Sequence, residues 1–143
     1  MCIRDSLDAL SDNNIQIKQE NITEGDFSFD SGEIAAKQLL KKGASKVTAI
    51  FASNDAMAAG VLKAAHKAKI NIPNDISLVG FDNSPTASQA WPSITTIAQP
   101  IKEMASSAAQ ILIDNISNKS EKKNVNKVFG SELIFRESVK KIN

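Results

Sequence analysis

Three short apolar runs, separated by two helical patterns, constrain this chain more than any other feature of it. Ile15-Gln16-Ile17 alternates at period two and reads as a strand. Val47-Thr48-Ala49-Ile50-Phe51-Ala52 and Ile76-Ser77-Leu78-Val79-Gly80-Phe81 are almost continuously apolar, the pattern of strands buried on both faces. Between the first two runs the sequence predicts a helix. Asp30 is its expected N-cap, Glu33 follows three residues later, and Gly43 lies past its end. Ala35, Ala36, Leu39 and Leu40 form its apolar face. A second helix starts near Asn54, with Met57, Ala58, Val61, Leu62 and Ala65 on one stripe, and Pro73 and Asn74 break the chain after it. This alternation implies an α/β fold, a three-layer parallel sheet flanked by helices with right-handed crossovers. A further helix is expected around Leu7 to Asp12.

The second half reads differently. Trp91-Pro92 and Gln99-Pro100 bracket the run Thr95-Thr96-Ile97. An amphipathic helix is expected from Ile101 to Ile116, with Ile101, Met104, Ala105, Ala108, Leu112 and Ile116 on one face. Asn118 to Asn126 is polar and lysine-rich, a solvated loop, and Glu132 to Phe135 reads as a last short strand. Met1 to Ser6 does not flow into the helix after it and resembles a translated sequencing-adapter remnant, so these residues are expected to be a non-native leader.

Composition narrows the function. The 143 residues fit one domain, and 42% hydrophobic content supports a core. With 17 basic and 16 acidic residues the chain shows no excess of the kind that grips DNA. No apolar run approaches the roughly 20 residues needed to cross a bilayer, so no membrane partner is expected. Enzyme chemistry finds little footing. His66 is the only histidine and falls on a polar helix side, and Cys2 is the only cysteine. The six glycines form no phosphate-binding loop, and no metal spacing occurs. No catalytic residue, metal or cofactor is expected.

A parallel sheet binds ligands beyond the carboxyl ends of its strands. The segments there are Glu24-Gly25-Asp26-Phe27-Ser28-Phe29, Ser53-Asn54-Asp55 and Asp82-Asn83-Ser84. They offer an aromatic ring, a carboxamide and carboxylates, a set that suits a polyhydroxylated ring. Phe27 either lines a pocket or plugs its loop against the sheet. Asn54 is expected as an N-cap with or without a ligand role, Asp55 as compensation for the helix dipole, and Asn83, Ser84 and Pro85 as turn residues. Asp82 is the hardest to dismiss, because a carboxylate ending a buried strand must be paired or open to a cleft.

Four segments then carry a resemblance. Ala49-Ile50-Phe51-Ala52-Ser53-Asn54-Asp55-Ala56-Met57-Ala58-Ala59-Gly60, Ile72-Pro73-Asn74-Asp75-Ile76-Ser77-Leu78-Val79-Gly80-Phe81-Asp82-Asn83, Pro92-Ser93-Ile94-Thr95-Thr96-Ile97-Ala98-Gln99-Pro100 and Glu132-Leu133-Ile134-Phe135-Arg136-Glu137-Ser138 resemble, in order, signatures of the lactose-repressor/galactose-repressor (LacI/GalR) family. The resemblance implies one lobe of a two-lobed, periplasmic-binding-protein-like core. Residues 7–98 would form the C-terminal effector-binding lobe. Residues 99–126 would be a crossover and helix belonging to an absent N-terminal lobe, and residues 127–143 a return strand and tail. It implies effector contacts by Phe27, Asn54, Asp82 and Gln99. It also implies a homodimer through Met57, Val61 and Trp91, a cytoplasmic location, and operator DNA bound only through a missing N-terminal head. The arginine that the family carries before its first helix has no counterpart in register, since Arg4 lies in the leader. Two other readings compete: the C-terminal lobe of a periplasmic sugar-binding protein of a transport system, and, more remotely, an enzyme such as a sugar isomerase. The Glu132 to Ser138 segment favours the regulator.

Overall fold

The computed structural model describes residues 3–41, 47–117 and 125–141. Gly43 and most of the polar loop at 118–126 lie outside the described residues. In chain order the elements are α1 (Ile3–Asp12), a 3-10 turn (Gln19–Asn21), α2 (Phe29–Lys41), β1 (Ala49–Phe51), α3 (Asp55–Lys67), β2 (Ser77–Phe81), α4 (Pro85–Gln89), β3 (Thr95–Ala98), α5 (Ile101–Ser117) and β4 (Glu132–Ile134). The sheet runs β1-β2-β3-β4. The first three strands are parallel, with Ile50 beside Leu78 and Gly80 beside Thr96. β4 returns antiparallel, with Ile97 beside Leu133. The mostly parallel α/β sheet flanked by helices is therefore present.

Two sequence expectations about strands differ from the structure. Ile15-Gln16-Ile17 is no strand, because it finds no ladder partner. Its first residue instead terminates α1: Asn14 takes a left-handed conformation, Asn14 N donates to Ser11 O (2.9 Å), and Ile15 N donates to Leu10 O (2.8 Å). Nor are β1 and β2 buried on both faces. Ile50, Leu78 and Gly80 are buried, whereas Phe51 is 47% exposed and Val79 half-buried. One face lies under helices, and the other is only partly covered. α1 also takes in Ile3–Ser6, helped by Asp5 in its first turn and the absence of any breaker.

The covered face is built by α2 and α3. Ala36, Leu39 and Leu40 of α2 join Met57, Ala58, Val61, Ala64 and Ala65 of α3 against Ile50, Ile76 and Leu78. The two helices cross at glycine. A side chain on Gly32 would collide with the Met57 backbone, and one on Gly60 with Phe29 O and Glu33 N. This crossing brings Glu33, its side chain only 8% exposed, within 2.6 Å of Lys63 and 2.8 Å of Lys67, and Lys37 one turn along its own helix lies 2.7 Å away. Hydrogen bonds from the three ammonium groups hold its carboxyl far below the usual carboxylate range. Lys63 also lies 5.1 Å from the Phe29 ring centroid. Glu33 thus serves as an interhelical clasp, and the helix cap is elsewhere. Ser28 Oγ accepts from Ser31 N (3.1 Å), two residues earlier than the expected cap at Asp30.

The tail closes the other side of β2. Where β3 has not yet begun, Ser138 lies beside Leu78: Leu78 N donates to Ser138 O (2.8 Å), and Ser138 Oγ donates to Leu78 O (2.6 Å) while accepting from Thr95 N (2.8 Å). Glu137 accepts from Ser93 N and Ser93 Oγ, which lowers its pKa.

Two outcomes are expected. Gly60→Ala forces backbone apart at the crossing and lowers stability by about 1–3 kcal/mol in denaturant titration, which the alanine's helix propensity of about 1 kcal/mol does not offset. Glu33, ionised in the folded state at pH values where the unfolded chain takes up a proton, stabilises above the unfolded carboxyl pKa and loses that contribution as pH falls through the folded one. The stability gap between wild type and Glu33→Gln therefore narrows as urea titrations move from about pH 6 to about pH 3.

Candidate functional site at the carboxyl edge of the sheet

Because β1, β2 and β3 run parallel, the residues that follow them share one edge. Asn54 follows β1, Asp82 follows β2 and Gln99 follows β3. Gln99 Nε2 donates to Asp82 Oδ1 at 2.9 Å. Asp82 is exposed and has φ 97, in the left-handed half of backbone space, and Asn83 after it has φ 53. Such backbone is costly for residues other than glycine and recurs at ligand sites. Here the surroundings impose it: Asp82 N donates to Ile97 O (2.9 Å), Asn83 N to Thr96 Oγ1 (3.3 Å), and Arg136 Nη2 to Asn83 Oδ1 (2.6 Å).

Phe27 reaches the edge by another route, since no strand precedes it. Asn54 caps α3 by accepting from Met57 N at 2.8 Å, and its Nδ2 donates to Phe27 O at 2.9 Å. The loop before α2 is further fixed by Asp26, whose Oδ1 accepts from Ser28 N (3.0 Å) and Ser28 Oγ (2.5 Å). With help from Ser31, these bonds lower the Asp26 pKa to about 2. Phe27 is 58% exposed with φ 66, so it does not plug the loop against the sheet.

Beneath the edge lies a residue whose role the sequence understates. Asp55 was expected to compensate the α3 dipole, but it is buried, 1% exposed, and bonds to β3 and to the segment after β2. Its Oδ1 accepts from Thr96 Oγ1 (2.6 Å) and its Oδ2 from Ser84 N (2.6 Å). Gly80 leaves room for it, as a Cβ there would meet Asp55 Oδ1. Arg136 was also overlooked: Nη1 donates to Ile94 O (2.8 Å) and the backbone N to Thr95 Oγ1 (2.9 Å). The one signal for both was their place inside segments that resemble a family signature.

The three residues expected at a dimer contact do not share a surface. Met57 and Val61 are 8% and 4% exposed, packed in the core, because α3 turns that stripe toward α2 and the sheet. Trp91 is 86% exposed. His66 is exposed on α3, as expected. Among the described residues no group of acidic, histidine and cysteine side chains is arranged to hold a metal, and no helix is long and apolar enough to cross a membrane.

The described sheet, parallel but for β4, is an α/β lobe of the kind in which ligands bind beyond the carboxyl ends of the strands. A periplasmic-binding-protein-like domain model matches residues 4–139, and the chain belongs to that family, in the form carried by LacI-family regulators. It is 40% identical over 130 residues to the HTH-type transcriptional regulator MalR of Clostridium butyricum, covering 91% of this chain and 38% of that protein. The solved transcriptional regulator CelR–cellobiose complex superposes with a TM-score of 0.85 at 32% identity, over 92% of this chain and 39% of the other. A LacI-family regulator from Enterococcus faecium with bound ribose superposes at 0.84 and 31% identity, over 96% and 50%. The chain thus spans less than half the length of the curated relatives it matches.

Removing the central carboxylate tests this architecture. Asp55→Asn leaves one acceptor oxygen where Ser84 N and Thr96 Oγ1 each donate to one, so one of these bonds is lost or must be reversed, and the change is expected to cost about 1–3 kcal/mol by chemical denaturation.

Proposed function

We propose that this chain is the effector-sensing lobe of a LacI-family transcriptional repressor, and that Phe27, Asn54, Asp82 and Gln99 form the edge that receives a sugar or related small molecule. The Asp82–Gln99 pair carries the reading: an exposed carboxylate on left-handed backbone, held by a carboxamide from the next strand, points charge and hydrogen-bonding capacity at one place. The exposed ring of Phe27 supplies an apolar face for stacking. Similarity to regulators crystallised with cellobiose and ribose supports a sugar as the effector, and similarity to regulators favours this reading over a transport protein.

The wider protein follows the same reading. Operator DNA is bound by a helix-turn-helix head outside this segment, in the cytoplasm. α5 has no buried residue, and Ile101, Leu112 and Ile116 are more than half exposed, so this helix docks on an N-terminal lobe. Trp91 anchors a two-fold homodimer without Met57 or Val61.

Calorimetric titration of the intact protein with ribose and with cellobiose tests the proposal. Saturable binding of at least one is expected, and Asp82→Ala weakens it by about 1–3 kcal/mol. An Asp82→Ala protein that binds the same sugar as tightly as wild type removes Asp82 from the site.

A further inference from the structure

We infer that Arg136 is a positioning residue, acting on the effector by fixing the turn that presents Asp82. The inference rests on the effector-binding reading above and supplies one part of its machinery. Asp82 and Asn83 are successive residues in left-handed backbone, at φ 97 and φ 53. Both are exposed, so packing does little to keep them there, and hydrogen bonds must do it. Asp82 is tied at its N to Ile97 O and at its carboxylate to Gln99 Nε2, each at 2.9 Å. Asn83 depends on two bonds of unequal quality. Its N donates to Thr96 Oγ1 at 3.3 Å, a long contact, whereas its Oδ1 accepts from Arg136 Nη2 at 2.6 Å. A short bond from a cation is the stronger of the two.

Arg136 can bear on the turn because it is itself anchored. β4 pairs Ile134 with Thr96, and Arg136 follows two residues later beside the start of β3. Its backbone N donates to Thr95 Oγ1 (2.9 Å), and its Nη1 donates to the carbonyl of buried Ile94 (2.8 Å). Glu137 N, next in the chain, donates to Ser93 O at 3.1 Å. The guanidinium therefore spans from the residue before β3 to the turn after β2, 53 residues away in sequence. A planar fork that donates through both terminal nitrogens fixes direction as well as distance. With Asn83 held, the peptide joining it to Asp82 is held, and the Asp82 carboxylate is aimed before a ligand arrives. A contact oriented beforehand costs less to form on binding.

Arg136→Met removes the donors and keeps an unbranched stem. In the intact protein without sugar, hydrogen exchange read by mass spectrometry on a peptide spanning 81–84 is expected to quicken roughly three- to tenfold, with α2 and α3 peptides unchanged. An unchanged 81–84 peptide overturns the inference, and so does equal quickening in α2 and α3, which means that Arg136 holds the lobe as a whole. Ribose and cellobiose titrations supply the second arm. Arg136→Met is expected to weaken sugar binding roughly three- to tenfold with Asp82 present, and to add nothing in an Asp82→Ala background. Equal weakening in both backgrounds means that Arg136 acts on the ligand by another route, and the inference fails. A pair of variants at Asn83 keeps the test open if Arg136→Met does not fold or Asp82→Ala leaves no measurable binding. Asn83→Asp keeps the acceptor and is expected to bind as wild type does. Asn83→Gly suits the left-handed backbone but lacks the acceptor, and is expected to weaken binding as Arg136→Met does. An Asn83→Gly protein with wild-type affinity sinks the inference. If neither sugar binds wild type, the effector reading fails, and the exchange measurement alone decides whether Arg136 holds the turn.

Discussion

The carboxylate of Asp55 is the point on which the site depends. It starts α3, lies beneath the ends of β2 and β3, and uses both oxygens on groups from two different segments. A buried carboxylate is tolerated only when its hydrogen bonds are made, and those bonds set where Ser84 and Thr96 lie. Thr96 Oγ1 in turn accepts from Asn83 N, the residue after Asp82. The exposed, left-handed Asp82 is therefore held through two hydrogen bonds from a group that never meets solvent. Gly80 belongs to the same arrangement, since any side chain there would take the place of the Asp55 oxygen.

A second constraint organises the outer layer. Glycine at 32 and 60 lets α2 and α3 touch backbone to backbone, and that contact draws Glu33 under three lysines from both helices. Close approach and charge pairing reinforce one another: the first brings the partners within reach, and the second resists separation of the helices. The result is a firm plate over one face of the sheet, while α5 carries its apolar residues in the open.

Much of this was legible in the sequence, for definable reasons. The α3 cap at Asn54, the apolar face of α2 and the strands at Ile50 and Leu78 all follow from local chemistry and periodicity. The parallel order then puts Asn54, Asp82 and Gln99 on one edge without further information. What was not legible depends on partners. Ile15–Ile17 alternates as a strand does, but a strand exists only where another offers a ladder. Ser28 outcompetes Asp30 as the cap because Asp26 orients its hydroxyl. Met57 and Val61 look available for a second chain until α2 is seen to cover them. The role of Asp55 requires knowing that Thr96, 41 residues later, lies across from it.

The seam closed by Ser138 bears on the order in which the chain acquires its fold during synthesis. Leu78 waits for a partner 60 residues downstream, and Thr95 for one 43 residues downstream, so neither bond exists while those residues are still within the ribosome. A chain without Ser138 would leave Leu78 N, Leu78 O and Thr95 N without these partners, an open stretch of strand edge for any neighbour able to supply a hydroxyl and a carbonyl in its stead.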